Sequence, residues 1–248
     1  EADMIVKSTG IVGGGQLILN PGDGKEITIQ EGGVLTVTSA AGLPGTLEIG
    51  TEASPIKNFV MEGATSKLNL DGSAKIYAEG VTLVDVIVDA NGDGDGDSST
   101  PSQLYVTATT GNVVLAGQIM VNAELDDTSK QNDVVISAPS GSIINTSGKT
   151  VAIEQVDSLR LSASGSIGTE SSPITVNSRS IDADSSSNGN IYLSNTPNVL
   201  TGSSDPVTIN EISTSAATIF YKQQGVALVI GSTPGETSVS SANGNIII

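Results

Sequence analysis

The chain has 248 residues, of which 27 are acidic and 10 basic, for a formal net charge of −17. Phosphates would be repelled, which excludes nucleic acid as a partner. Aromatic residues make up 2% and Trp, Cys and His are absent, which rules out a core of large rings, disulfides, and histidine- or cysteine-based catalysis.

From the N-terminus the chain opens at Glu1 without an initiator Met or an apolar leader, as a mature chain or a fragment would. No run of eighteen apolar residues occurs, so no transmembrane segment is expected. The lack of cysteine fits an exported protein. Three corners, Gly15-Gln16-Leu17, Gly45-Thr46-Leu47 and Gly72-Ser73-Ala74, place a small residue two positions before an aliphatic one. Gly32-Gly33-Val34 competes with them for the register. The octet from Ile49 to Ile56 returns from Ile167 to Ile174 with one difference, Ala53 against Ser171, and reads as internal duplication. Its prolines, Pro55 and Pro173, belong at a corner or strand start, because proline inside a ladder removes a donor.

Val81 to Val88 alternates as a strand and runs into Asp89-Ala90-Asn91-Gly92-Asp93-Gly94-Asp95-Gly96-Asp97. Oxygen ligands at every second position, with glycine at the sixth for the sharp turn, predict a calcium (Ca2+) loop. An EF-hand fits less well, since position twelve is Thr100 and a strand precedes the loop. The run resembles the Asp-x-Asp-x-Asp-Gly-x-x-Asp loops that bind calcium between strands in propeller-type proteins. That resemblance implies side-chain ligands Asp89, Asn91, Asp93 and Asp97, with Asp95 offering its carbonyl. The alternative is an acidic, glycine-rich solvated loop.

Beyond residue 103 the corners become regular: Gly111-Asn112-Val113, Gly141-Ser142-Ile143, Gly165-Ser166-Ile167, Gly189-Asn190-Ile191, Ala217-Thr218-Ile219 and Gly244-Asn245-Ile246, spaced 30, 24, 24, 28 and 27 residues. A second recurring segment precedes most of them, as in Val106-Thr107-Ala108, Ile136-Ser137-Ala138 and Leu161-Ser162-Ala163. Period-two runs alternate with Gly, Ser, Asn and Asp turns, and no useful 3.6-residue period occurs. This pattern predicts one all-β domain over 1–248, a parallel right-handed β-helix of about nine coils and about 40 Å length. Residues 1–103 form its N-terminal coils with an insertion at 89–100, and 104–248 its regular repeats. An antiparallel β-sandwich is the alternative.

The stretch from Gly165 to Asn177, followed by Gly189-Asn190-Ile191-Tyr192-Leu193, resembles the repeats of filamentous-haemagglutinin-like regions in very large bacterial surface proteins. The likeness covers roughly residues 104–248. It implies an extended right-handed β-helix, export from the cell, and a stalk or adhesive role.

Catalytic readings are weaker. Asp126 and Asp127 with Asp133 suggest paired carboxylates of a glycoside hydrolase, but the additional Asp and His motifs of β-helical hydrolases are missing. Arg160 and Arg179 are the available arginines, and neither lies in a lyase motif. Arg160, between Leu159 and Leu161, belongs on an outer face. Tyr77, Tyr105, Tyr192 and Tyr221 read as half-buried strand residues. The expectation is therefore no enzyme, but an extracellular or cell-surface element: a rigid stalk, adhesin segment or fibre subunit. Its partners would be host-cell, glycan or matrix surfaces, or further copies stacked into filaments through the apolar end Ile246 to Ile248. The alternative is a carbohydrate-active β-helix enzyme.

Overall fold

The structure is a computed structural model and describes residues 7–8, 16–21, 24–37, 45–89, 103–122, 133–149, 152–196, 206–230 and 239–248. Among them there is no helix, and every strand pairing is parallel, joining one continuous solenoid-like sheet. Parallel pairing throughout removes the sandwich alternative. The chain visits three faces in turn. The first carries Gln16–Leu19, Gly45–Ile49, Gln103–Ala108 and Asp133–Ala138; the second carries Glu26–Ile29, Ile56–Met61, Val113–Leu115 and Ile191–Asn195; the third carries Val34–Val37, Asp85–Asp89 and Ile119–Asn122. Longer strands such as Lys67–Leu83 bend around corners without losing their pairing.

Alternation decides which side chains enter the core. In Gln103–Ala108 and Asp133–Ala138 every second residue is buried. Two successive outward residues mark a corner or bulge, as at Glu79-Gly80, Asp157-Ser158 and Asn210-Glu211. Inward residues then stack from coil to coil. On the first face Leu17, Leu47, Ala74, Leu104, Val134, Leu159, Ile181 and Ile209 are successive register partners. On the third, Leu35, Leu68, Val86, Ile119, Ile153 and Val176 form the same kind of column. Buried aliphatic residues about 4.8 Å apart in such columns supply the cohesion that large rings supply elsewhere.

The regular corners align as predicted. Val113, Ile143, Ile167, Ile191, Ile219 and Ile246 are consecutive partners on the second face. Toward the N-terminus that column continues through Val81, Phe59 and Ile27. The expected continuation through Gly72, Gly45 and Gly15 is therefore corrected: Ala74, Leu47 and Leu17 stack on one another, but on the first face, where Ala74 meets Leu104. Gly32-Gly33-Val34 opens a third-face strand. Leu17, Leu47 and Ala74 share one first-face column, apart from the second-face column of Val113, and Glu79 stands where the true preceding second-face corner would show a small residue.

Each corner residue has a physical reason. A Cβ on Gly141 would lie 2.0 Å from the Gly111 carbonyl oxygen, and one on Gly189 would lie 2.1 Å from that of Gly165. The following Asn or Ser links successive coils through its side chain. Asn112 Oδ1 accepts from the Ser142 amide at 2.8 Å, Ser142 Oγ from Ser166 at 3.0 Å, Ser166 Oγ from Asn190 at 3.1 Å, and Asn190 Oδ1 from Thr218 at 2.9 Å. These bonds replace main-chain ladder bonds where the backbone turns. Where the first face ends in Ser185, Thr214 and Ser241 and not alanine, the hydroxyl donates to the carbonyl of Gly165, Gly189 or Ala217 one coil away.

The repeated octets build the same turn at different corners. Ser54 and Thr51 exchange main-chain bonds, as do Ser172 and Thr169, and each threonine Oγ1 accepts from the serine amide at 3.0 Å. Gly50 and Gly168 carry positive φ of 63° and 69° and lie against the Tyr77 and Tyr192 carbonyls. Yet Ile49 and Ile56 register with Ile76 and Ala78 at the end of the first face, whereas Ile167 and Ile174 register with Ile191 and Leu193 on the second. They encode a turn and not an equivalent coil position. Both prolines directly precede strands.

Candidate functional site

The predicted calcium loop begins at the end of the third-face strand Asp85–Asp89, whose last residue pairs with Asp71 and Asn122. Asn91, Asp93, Asp95 and Asp97 lie outside the described residues, as do Asp126 and Asp127. Among the described residues no group of three or more carboxylate, histidine or cysteine side chains is placed to hold a metal.

The outward rows of the first face bring together the charged groups that alternation assigned to the surface. Lys75, Tyr105, Val135, Arg160 and Asp182 are successive partners, and Asp182 pairs with Glu211 across a bulge that inserts Asn210. The Lys75 ammonium lies 5.9 Å from the Tyr105 ring centroid. Arg160 is exposed between buried Leu159 and Leu161, as its position implied. Burial pushes the Asp182 carboxyl up; the Arg160 guanidinium, the Glu211 amide and Asn210 pull it back, while the Glu211 carboxylate adds to the rise. Asp133 is also pushed up, first by burial and then by the Asp157 carboxylate. Asp157 in turn meets Arg179 at 3.5 Å. The carboxylate acting on Asp133 is thus one coil away in space and 24 residues away in sequence, a partner that reading along the chain misses.

Hydroxyls extend the next row: Ser162 Oγ donates to Ser137 Oγ at 3.0 Å, and Ser213 Oγ to Asp184 Oδ1 at 2.6 Å. At the N-terminal end Glu26 accepts from Asn58 Nδ2 at 2.8 Å and pairs with Lys57 at 3.5 Å. That hydrogen bond, ahead of Lys57, holds the Glu26 carboxyl below the usual range.

Tyr77, Tyr105 and Tyr192 are half-buried strand residues as expected, but Tyr221 is buried. Partnered with Leu193, it points inward and donates to Gln223 Oε1. Burial raises its phenol to about 12, against a lowering hydrogen bond with Asn195. Asn195 is itself fully buried, with its amide satisfied by Ser178 through a 3.1 Å acceptor bond and a 3.0 Å donor bond. This buried polar group is fully bonded and structural.

The described surface offers rows of hydroxyl, amide and carboxylate groups at coil spacing. Such rows present repeated hydrogen-bonding edges; the raised Asp133 and Asp182 carboxyls are the groups best suited to hold a proton. No described helix is long and apolar enough to cross a membrane. No family model matches the chain, and neither a curated protein nor a solved structure matches it.

Proposed function

We propose that this chain is a segment of an extracellular or cell-surface β-helix that acts mechanically, as a rigid stalk, adhesin segment or fibre-forming subunit. The proposed coil is right-handed, with about nine turns. The observation that carries the reading is the parallel pairing of coil on coil, reinforced by side-chain bonds from coil to coil between Asn112 and Thr218. A continuous ladder of this kind resists bending while its outer face stays free to present polar groups. The likeness to filamentous-haemagglutinin-like repeats supports the surface location, and rests on the repeated residues themselves. Host-cell, glycan or matrix surfaces are the proposed partners.

Calcium is proposed to order the loop after Asp89. Asp89, Asn91, Asp93 and Asp97 would supply side-chain oxygens and Asp95 its carbonyl, a hard-oxygen donor set suited to this ion.

The rival reading is a carbohydrate-active enzyme, favoured by the raised carboxyls of Asp133 and Asp182 on one outward face. Incubation with acidic polysaccharides and calcium separates the two. The structural reading expects no new reducing ends and no unsaturated uronates. Turnover abolished by Asp133→Asn or Asp182→Asn would replace it with the enzymatic one.

A further inference from the structure

Asn-Gly pairs occur at Asn91-Gly92, Asn188-Gly189 and Asn243-Gly244. The first lies outside the described residues. The other two share the continuation Asn-Gly-Asn-Ile and lead into Ile191 and Ile246 of the same second-face column. Their surroundings differ. Asn188 has a φ of 61°, the one positive value among the described non-glycine residues, in a region that Asn tolerates better than most L-residues. It is exposed. Its main-chain nitrogen donates to Ser215 Oγ at 3.2 Å, but among the described residues no hydrogen bond engages its carboxamide or the Gly189 amide. At the second pair the Gly244 amide donates to Ser241 Oγ at 2.9 Å.

We infer that Asn188 is a site of spontaneous modification, deamidating through a succinimide formed with the Gly189 nitrogen. That nitrogen gives its proton to hydroxide and attacks Asn188 Cγ. The new bond closes a five-membered ring, and the side-chain nitrogen leaves as ammonia. Water then opens the ring. Cleavage at Cγ restores the main chain with aspartate at this position, and cleavage at the main-chain carbonyl leaves isoaspartate. One water is consumed and one ammonia released, with no oxidant and no enzyme. Glycine favours the attack because no Cβ crowds its nitrogen. An amide that already donates a hydrogen bond must first give it up, which slows the same reaction at Gly244.

The corner around this pair is tight. Gly189 packs against the Gly165 carbonyl, its own carbonyl accepts from Thr214 Oγ1 at 3.0 Å, and the Asn190 amide donates to Ser166 Oγ at 3.1 Å. Isoaspartate lengthens the main chain by one methylene between the Ser215 bond to Asn188 and these contacts, so the corner must give up part of its packing. Aspartate instead adds a negative charge to a net of −17. Conversion to isoaspartate therefore loosens coil stacking at this corner as the protein ages. The inference goes beyond the mechanical role proposed above and does not depend on it.

Ageing the full chain at 37 °C and pH 8.5, native and in 8 M urea, tests it. Aliquots are digested with pepsin at acidic pH, which stops the reaction, and the peptides around Asn188 and Asn243 are followed by mass spectrometry for the gain of amide-to-acid conversion. In the native chain Asn188 is expected to convert at least fivefold faster than Asn243. In urea, where both pairs have the same local sequence and no fold, the two rates should agree within twofold. Ser241→Ala, checked for native circular dichroism and melting, frees the Gly244 amide and should speed Asn243 at least threefold while leaving Asn188 unchanged. Native conversion of Asn188 no faster than Asn243 overturns the proposal. So does an equal advantage of Asn188 in urea, which would assign the reactivity to sequence alone, or a Ser241→Ala chain in which Asn243 stays as slow as before.

Discussion

Gly141→Ala probes the corner column at its centre. The added methyl would sit 2.0 Å from the Gly111 carbonyl oxygen, 2.5 Å from its carbon and 2.8 Å from Asn112 Oδ1. Most of these are backbone atoms, so relief requires the two coils to part locally by about 1 Å, a fifth of the interstrand spacing. Such a displacement stretches the 2.8 Å bond from the Ser142 amide to Asn112 Oδ1 and the 3.0 Å bond from Val113 N to Ser142 O. Overpacking costs about 1–3 kcal/mol, and each lost bond adds about 1 kcal/mol. A total of about 3–5 kcal/mol corresponds to a drop in Tm of roughly 6–20 °C for a chain of this length. Thermal denaturation followed by far-UV circular dichroism measures it, and amide exchange should show faster opening at Val113 and Ser142. An unchanged Tm with unchanged exchange at these amides would refute the reasoning that close coil approach selects glycine here.

Ile143→Ala empties a fully buried position between Val113 and Ile167 and is expected to cost about 2–5 kcal/mol in urea denaturation. Asp133 has a folded-state carboxyl above its unfolded value, so the folded chain binds more protons in that window; stability falls as pH rises through it and is level above. Asp133→Asn should flatten that segment of the stability–pH curve, measured by urea midpoints from pH 3 to 7. Calcium is expected to raise the Tm of the full chain, with the increase removed by EDTA and much reduced in Asp93→Asn; no calcium response would remove the proposed ion site.

Some of the fold was legible because local chemistry demanded it. From Gly111 to Gly244 the coils approach so closely at the corner that glycine, or alanine at 217, stands there, followed by an oxygen-bearing Asn, Ser or Thr, so the small-then-polar pair recurs visibly. The N-terminal register was illegible for the converse reason. Ser73-Ala74 and Asn112-Val113 follow the same small-then-aliphatic rule on different faces, and all columns of a solenoid share the coil length as their period. The octets mislead similarly, since Gly50 and Gly168 satisfy the same turn at two different corners. Tyr221 was misplaced because its size and hydroxyl suggest a surface, although alternation from Ile219 already pointed it inward. At the candidate site, the outward setting of Arg160 follows from its neighbours, whereas the approach of Asp157 to Asp133 depends on coil length.

Stacking itself is most directly tested by cross-linking, since the chain contains no cysteine. Ser137 and Ser162 are register partners on adjacent coils with their hydroxyls 3.0 Å apart. Ser137 and Ser213 are three coil steps apart on the same row, about 14 Å, beyond the reach of a disulfide. Oxidation should close an intramolecular disulfide in Ser137→Cys/Ser162→Cys and none in Ser137→Cys/Ser213→Cys. The reverse outcome, or equal bridging in both, would mean that these strands do not lie one above the next.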